Sequence, residues 1–138
     1  VREVGHYSCR SMTGNCAALQ TLADEPGFVQ INPQDAAALG IGDQQLVWVA
    51  SRRGKVISRA NYNERINLGA VYMTYQWWIG ACNELTQENL DPISKTPETK
   101  YCAVKLEAIG DQKWAENYAS QSYSDMKARL RRAVEDVM

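Results

Sequence analysis

The hydrophobic period turns to a sustained helical one near Asp111, and that change limits the fold more than any other feature. Before it, apolar residues recur at every second position in short runs broken by turn residues; after it, they recur at helical spacing. Leu46, Trp48 and Ala50 alternate, then Val56, Ser58, Ala60 and Tyr62, then Cys102, Val104 and Leu106, with turns at Gly42-Asp43 and Arg53-Gly54. The spacing predicts strands over 28–31, 46–50, 55–62, 69–75 and 101–109. A short helix follows the first strand, since Asn32 can cap it, Pro33 fits its first turn and Gly40 is placed to end it. Residues 16–23 also have helical spacing. From residue 111, Ala115, Tyr118, Ala119, Ser122, Met126, Leu130, Ala133 and Val137 form one stripe. Opposite charges four residues apart recur beside it: Asp125 with Arg129, Arg131 with Glu135, Arg132 with Asp136. The stripe packs on its own domain or on domains outside this chain. Short strands, one small helix between them and a terminal helix suggest an α+β domain or a small closed β barrel with helical decoration.

A length of 138 residues points to one domain. A domain near this size buries roughly two-thirds of its unfolded-chain surface, enough for a core without metal or disulfide help. A net charge of −1 argues against a duplex-DNA partner, which favours a basic face. No apolar run approaches the ~20 residues that span a bilayer, and the mixed polar N-terminus is not a signal peptide. The chain opens on Val1, so it reads as an excised fragment. None of Cys9, Cys16, Cys82 and Cys102 sits in a C-x-x-C pair, which speaks against a zinc ribbon or redox motif and for reduced thiols in the cytoplasm.

Two segments hold the residues suited to a polar ligand. The first, REVGHYSCRSMTGN, concentrates Arg2, Glu3, His6, Tyr7, Ser8, Arg10, Ser11 and Thr13 between glycines. Guanidinium forks and glycine-freed backbone amides suit an anionic group; by composition alone the same stretch reads more readily as a solvated tail. His6 is the sole histidine, no acid–nucleophile set accompanies it, and a hydrolytic triad is unsupported. The second segment, residues 76–100, is a long irregular connection of the kind that is usually functional or disordered. In and around it, Gln76 and Asn83 offer amides that match a purine or pterin edge, Tyr75 and Trp77 offer stacking or hydrogen-bonding surfaces, and Lys100 sits where loop becomes strand. Taken singly, Trp77 and Trp78 read as core plugs and Lys100 as a solvated charge.

The order of these segments resembles the dinucleotide-binding domain of the dimethyl-sulfoxide-reductase family of molybdopterin oxidoreductases. An Arg-x-x-x-His-Tyr loop precedes a Thr-Gly, INPQDAAALGIGD, SRRGKV, NLGAVYMTYQWW, ACNELT, DPISKTPETK and CAVKLE, over roughly residues 1–109. The runs GHYSCRSMTGNCAALQTLADEPG and TYQWWIGACNELT resemble the formate dehydrogenases of the formate-hydrogenlyase type. The resemblance implies a six-stranded double-psi β barrel over 1–109, mainly β with helices, plus a C-terminal amphipathic helix over 110–138 packing on the barrel or on absent domains. It implies molybdopterin guanine dinucleotide as cofactor. The contacts it implies are Arg2, Glu3, His6, Tyr7 and Ser8, with Ser11 and Thr13 beside them, and later Tyr75, Gln76, Asn83, Lys100 and Tyr101. Neither a catalytic residue nor a metal ligand is implied in this stretch.

The resemblance also assigns molybdenum or tungsten, a selenocysteine or cysteine ligand and an iron–sulfur cluster to upstream domains of the same polypeptide. Electrons from formate would pass to formate-hydrogenlyase-type partners, and the fragment alone would be inactive. The other readings are a sister oxidoreductase resembling nitrate reductase, or a free-standing non-enzymatic barrel module. A pyruvoyl-dependent decarboxylase on the same barrel needs a Gly-Ser self-cleavage site, and this sequence has no such dipeptide.

Overall fold

The computed structural model describes residues 25–135, with side chains in the terminal helix described to residue 129. The elements are β1 (Phe28–Ile31), α1 (Pro33–Ala38), β2 (Leu46–Ala50), β3 (Lys55–Tyr62), β4 (Val71–Met73), a 3-10 turn (Cys82–Glu84), β5 (Lys105–Ala108) and α2 (Gln112–Glu135). The five strands form one mixed sheet in the order β4-β1-β3-β2-β5. β1 and β3 are parallel, with Val29 opposite Ala60; β1–β4, β2–β3 and β2–β5 are antiparallel. The helical stretch expected at 16–23 and the N-terminal binding segment lie outside the described residues.

Strand alternation sorts the side chains to two faces, and both are covered. One face carries Val29, Ile31, Val47, Val49, Val56, Ala60 and Leu106, closed by Ala36, Ile41 and Leu85. The other carries Leu46 and Ile57, closed by Ala115 and Ala119 of α2 with Trp48, Ile79 and Ile109 around them. Leu46 and Trp48, which alternate in the sequence, do share one face of β2. The buried Val47 and Val49 show that this strand is internal, and a strand covered on both sides reads as a continuous apolar run. Each buried aliphatic side chain of this kind stabilises the fold by about 1.5–3 kcal/mol relative to exposure.

The small helix forms as its sequence signals require. Asn32 accepts the amide of Gln34 at 2.9 Å, Pro33 occupies the first position, and Gly40 takes a left-handed φ of 67° just past the end. The expected strand over 69–75 is shorter, Val71–Met73, because Ala70 N closes a turn on Asn67 and the chain bends at Tyr75. The expected strand over 101–109 narrows to Lys105–Ala108. Its ladder partner β2 ends at Ala50, opposite Lys105, where the chain turns back through Ser51 and Gly54.

α2 is fastened to the sheet at its first turns. Gln112 Nε2 donates to Leu46 O at 2.9 Å and Ile109 O at 2.7 Å, while its Oε1 accepts Leu46 N at 2.7 Å, so one side-chain amide mimics a strand neighbour. Asp111 accepts the amide of Trp114 at 2.9 Å as a cap. Arg59 bonds Glu116 through both nitrogens, at 2.8 and 3.1 Å. The stripe read from the sequence begins as expected, with Ala115 and Ala119 buried; Tyr118, on its edge, stays exposed while meeting Trp48 edge-on at 6.1 Å. Asp125, read as a partner for Arg129, accepts Gln121 Nε2 at 2.8 Å.

Candidate functional site

A cavity of about 910 Å³ opens beside the sheet. Its walls are α1, the segment 69–73, the turn after Cys82 and the approach to β5 from Thr99 to Leu106. Apolar side chains (Ile31, Leu39, Val71, Leu85, Val104) and the polar Asp35, Thr86, Gln87, Thr99, Lys100 and Tyr101 share its lining. An apolar lining with a few convergent polar groups is the usual form of a small-molecule site.

The walls are held by local bonds. Asp35 accepts the amide of Gly69 at 2.7 Å, joining α1 to the chain entering β4. Leu85 is buried, and its carbonyl accepts Arg53 Nε at 3.0 Å, which pins the 3-10 turn to the β2–β3 corner. Thr86 Oγ1 donates to Asn83 O at 3.0 Å, and Gln87 Nε2 donates to Tyr101 O at 3.1 Å across the opening. The irregular stretch before Lys100 is internally bonded. Asp91 accepts Ile93 N, Ser94 N and Ser94 Oγ at 3.0, 2.6 and 2.9 Å. Leu90 bridges Pro97, and Glu98 N donates to Asn89 O. The bonds from Ser94 hold the Asp91 carboxyl below its ordinary range. This closed loop delivers Lys100 and Tyr101 to the cavity rim, both exposed; Tyr101 is 77% accessible.

The later site residues read from the sequence separate into two groups. Lys100 and Tyr101 line the cavity. Asn83 is exposed on the 3-10 turn beside the lining residue Cys82, while Tyr75 and Gln76 lie on a different loop. Tyr75 is exposed and Gln76 is buried at 2% accessibility. Trp77 is core: it is 5% exposed, packs edge-on against Phe28 at 5.9 Å and donates from Nε1 to Thr74 Oγ1 at 2.7 Å. Gly27 has no room for a side chain, because a Cβ there would lie 2.5 Å from the Trp77 ring. Arg2, Glu3, His6, Tyr7, Ser8, Ser11 and Thr13 fall outside the described residues.

Sequence reasoning passed over Asp35, Thr86, Gln87 and Thr99, and also Cys82 and Cys102, which share the cavity wall. Burial, and then the neighbouring Cys102, push the Cys82 thiol up from its ordinary value. Nothing in the spacing of these residues marks them, since the fold joins positions more than sixty residues apart. The one available signal was Thr86-Gln87, polar residues directly after the apolar Leu85 of ACNELT.

Residues 1–103 match the molydopterin dinucleotide binding domain. This chain belongs to that family. It is 68% identical over 133 residues to formate dehydrogenase H of Escherichia coli strain K12, covering 96% of this chain and 19% of that protein. It is 43% identical over 108 residues to the F420-dependent formate dehydrogenase 2 subunit alpha of Methanococcus maripaludis, covering 78% of this chain and 16% of the relative. The assimilatory nitrate reductase catalytic subunit of Bacillus subtilis is more distant, 36% identical over 106 residues. The chain thus spans less than a fifth of the length of these relatives. Among the described residues no helix is long and apolar enough to cross a membrane.

Proposed function

We propose that this chain is the cofactor-binding domain of a molybdenum formate dehydrogenase, holding molybdopterin guanine dinucleotide for the oxidation of formate. The observation that carries the reading is the 68% identity to formate dehydrogenase H over nearly the whole chain, against 36% to the nitrate reductase subunit. In this reading the five-stranded mixed sheet belongs to a six-stranded double-psi β barrel over 1–109, supported by the parallel pairing of β1 with β3, and residues 110–138 pack on it. The enzyme works in the cytoplasm, with upstream domains of the same polypeptide supplying the metal ligand and an iron–sulfur cluster.

The donor set fits the cofactor. An ammonium at Lys100, hydroxyls at Thr86, Thr99 and Tyr101 and an amide at Gln87 share the lining with apolar side chains, which suits a ligand with anionic phosphates and flat, hydrogen-bonding rings. Lys100 neutralises a phosphate or bonds the pterin, and Tyr101 and Tyr75 give hydroxyl donors. The exposed Asn83 reads a pterin or guanine edge, while Gln76, 2% accessible, supports the loop that carries Tyr75; Arg2, Glu3, His6, Tyr7, Ser8, Ser11 and Thr13 contact the cofactor, with backbone and hydroxyl donors on its pyrophosphate. The bound cofactor with its metal supplies the two-electron chemistry, HCOO⁻ → CO₂ + H⁺ + 2e⁻, and the electrons leave toward formate-hydrogenlyase-type carriers. This domain's residues bind and orient the cofactor and exclude water from it.

The test is made on the full-length polypeptide carrying this chain, purified without oxygen. Bound guanine dinucleotide and formate-dependent dye reduction are the expected result, with an immunoblot band several times heavier than 15.5 kDa. Dinucleotide with nitrate reduction in place of formate oxidation moves the assignment to the sister enzyme. A native polypeptide of this size with no pterin leaves only a free-standing binding module.

A further inference from the structure

Residues 25–27 lie between two anchors. On one side the carbonyl of Gly27 accepts Ser58 Oγ at 2.7 Å and Arg59 N at 2.8 Å, which ties the segment to β3. On the other, Gly27 N donates to Ile79 O at 2.8 Å. The Glu25 carboxylate accepts the amide of Trp78 with one oxygen, at 3.3 Å, and the amide of Ile79 with the other, at 3.0 Å. Trp78 in turn meets Tyr123 of α2 edge-on at 6.4 Å, and Ile79 packs beside Leu46 and Ile57. The loop that starts at Tyr75 is therefore fixed at its far end by one carboxylate bridging two consecutive amides. Bonds from N–H groups to an ionised acceptor are about twice as strong as neutral ones. In sequence, Glu25 stands three residues before the first strand.

We infer that Glu25 is a positioning residue for the dinucleotide: its carboxylate sets the conformation in which the 75–80 loop presents Tyr75. The inference rests on the reading that Tyr75 faces the cofactor. Glu25 itself does not touch the ligand. It acts by removing the loop's freedom before binding, so that ordering cost does not fall on the association step.

The test uses the full-length enzyme loaded with dinucleotide, with Glu25→Gln, which keeps one acceptor oxygen, and Glu25→Ala, which keeps none. Two quantities are read: amide hydrogen exchange at Trp78 and Ile79 against that of β2 and β3, and the rate of dinucleotide release followed by pterin fluorescence. The expected result is graded, Ala above Gln above the unaltered enzyme. Both loop amides open while β2 and β3 stay protected, and release quickens about tenfold in the alanine variant, the scale of a lost supporting contact around a bound cofactor. Release at the unaltered rate from a variant whose loop amides have opened overturns the inference. So does exchange that opens β2 and β3 equally, which makes Glu25 merely structural. If the alanine variant does not accumulate, the glutamine variant alone decides by the same two readings. An unaltered enzyme that carries no pterin nucleotide sinks the functional assignment itself, whereas a loaded enzyme indifferent to both substitutions sinks only the role of Glu25.

Discussion

The two sides of β2 and β3 are closed in different ways. Where α2 lies, the sheet is sealed by its own chain: Ala115 and Ala119 sit on Leu46 and Ile57, and polar groups at the edge are matched by Gln112 and by the Arg59–Glu116 pair. Beyond the opposite face the wall from Cys82 to Leu106 leaves a cavity, and the side chains at its rim, Lys100 and Tyr101, stay in solvent. Small residues permit close packing and satisfied amides complete it; long polar side chains held on a bonded loop keep a space open. The first arrangement is what stability selects and the second is what a ligand needs, so substitutions should divide between stability and binding along this line.

The largest effect belongs on the sealed side. Ile57→Ala removes a buried side chain from beneath α2, and such truncations cost roughly 2–5 kcal/mol. The expected outcome is a lower urea midpoint with an unchanged slope; a midpoint within error of the unaltered chain would show that α2 does not seal this face. Gln112→Ala comes next. It leaves the buried backbone of Leu46 without its side-chain partner, at a cost of about 1–3 kcal/mol, and the Leu46 amide should exchange faster than those of Val47 and Val49.

The difference between the two sides also explains what the sequence disclosed. Period-two alternation marked β2 and β3 with their observed limits, and the Asn32-Pro33 and Gly40 signals bounded α1, because each depends on neighbouring residues alone. The shortening of β5 was hidden, since it is set by where β2 ends, a pairing between positions more than fifty residues apart. Gln76 carries an amide suited to a ligand edge, but it is buried, as is the neighbouring Trp77 that fills the space beside Gly27. Lys100 and Tyr101 do reach the rim, but not for the reason their position offered: the strand begins only at Lys105, and the bonded irregular loop before Lys100 carries both residues there. Thr86 and Gln87 reach the same rim only through the turn that Arg53 pins.

On the open side the expected signature is reversed. Lys100→Ala in the full-length protein should leave the urea midpoint of this domain unchanged, because the side chain is exposed. Dinucleotide retention should fall about tenfold, the value of one charge-assisted bond of roughly 1.5 kcal/mol. Equal loss of stability and retention would erase the contrast between the two sides.

The smallest effect sharpens the contrast through pH. Hydrogen bonds from Arg59 hold the Glu116 carboxyl below its ordinary value of 4.5, working against the modest burial that would raise it. A carboxyl depressed in the folded state adds stability that is fully present above 4.5 and is lost as pH falls through the lower folded value. Because the Glu116 side chain is 47% exposed, solvent screens the pair, and its contribution is about 0.5 kcal/mol. Glu116→Gln should therefore unfold slightly earlier in urea at neutral pH, and the gap should close once both chains are titrated well below 4.5. A gap that persists in acid would mean that the side chain stabilises α2 by packing on the sheet rather than by charge, leaving Gln112 as the polar fastening of that face.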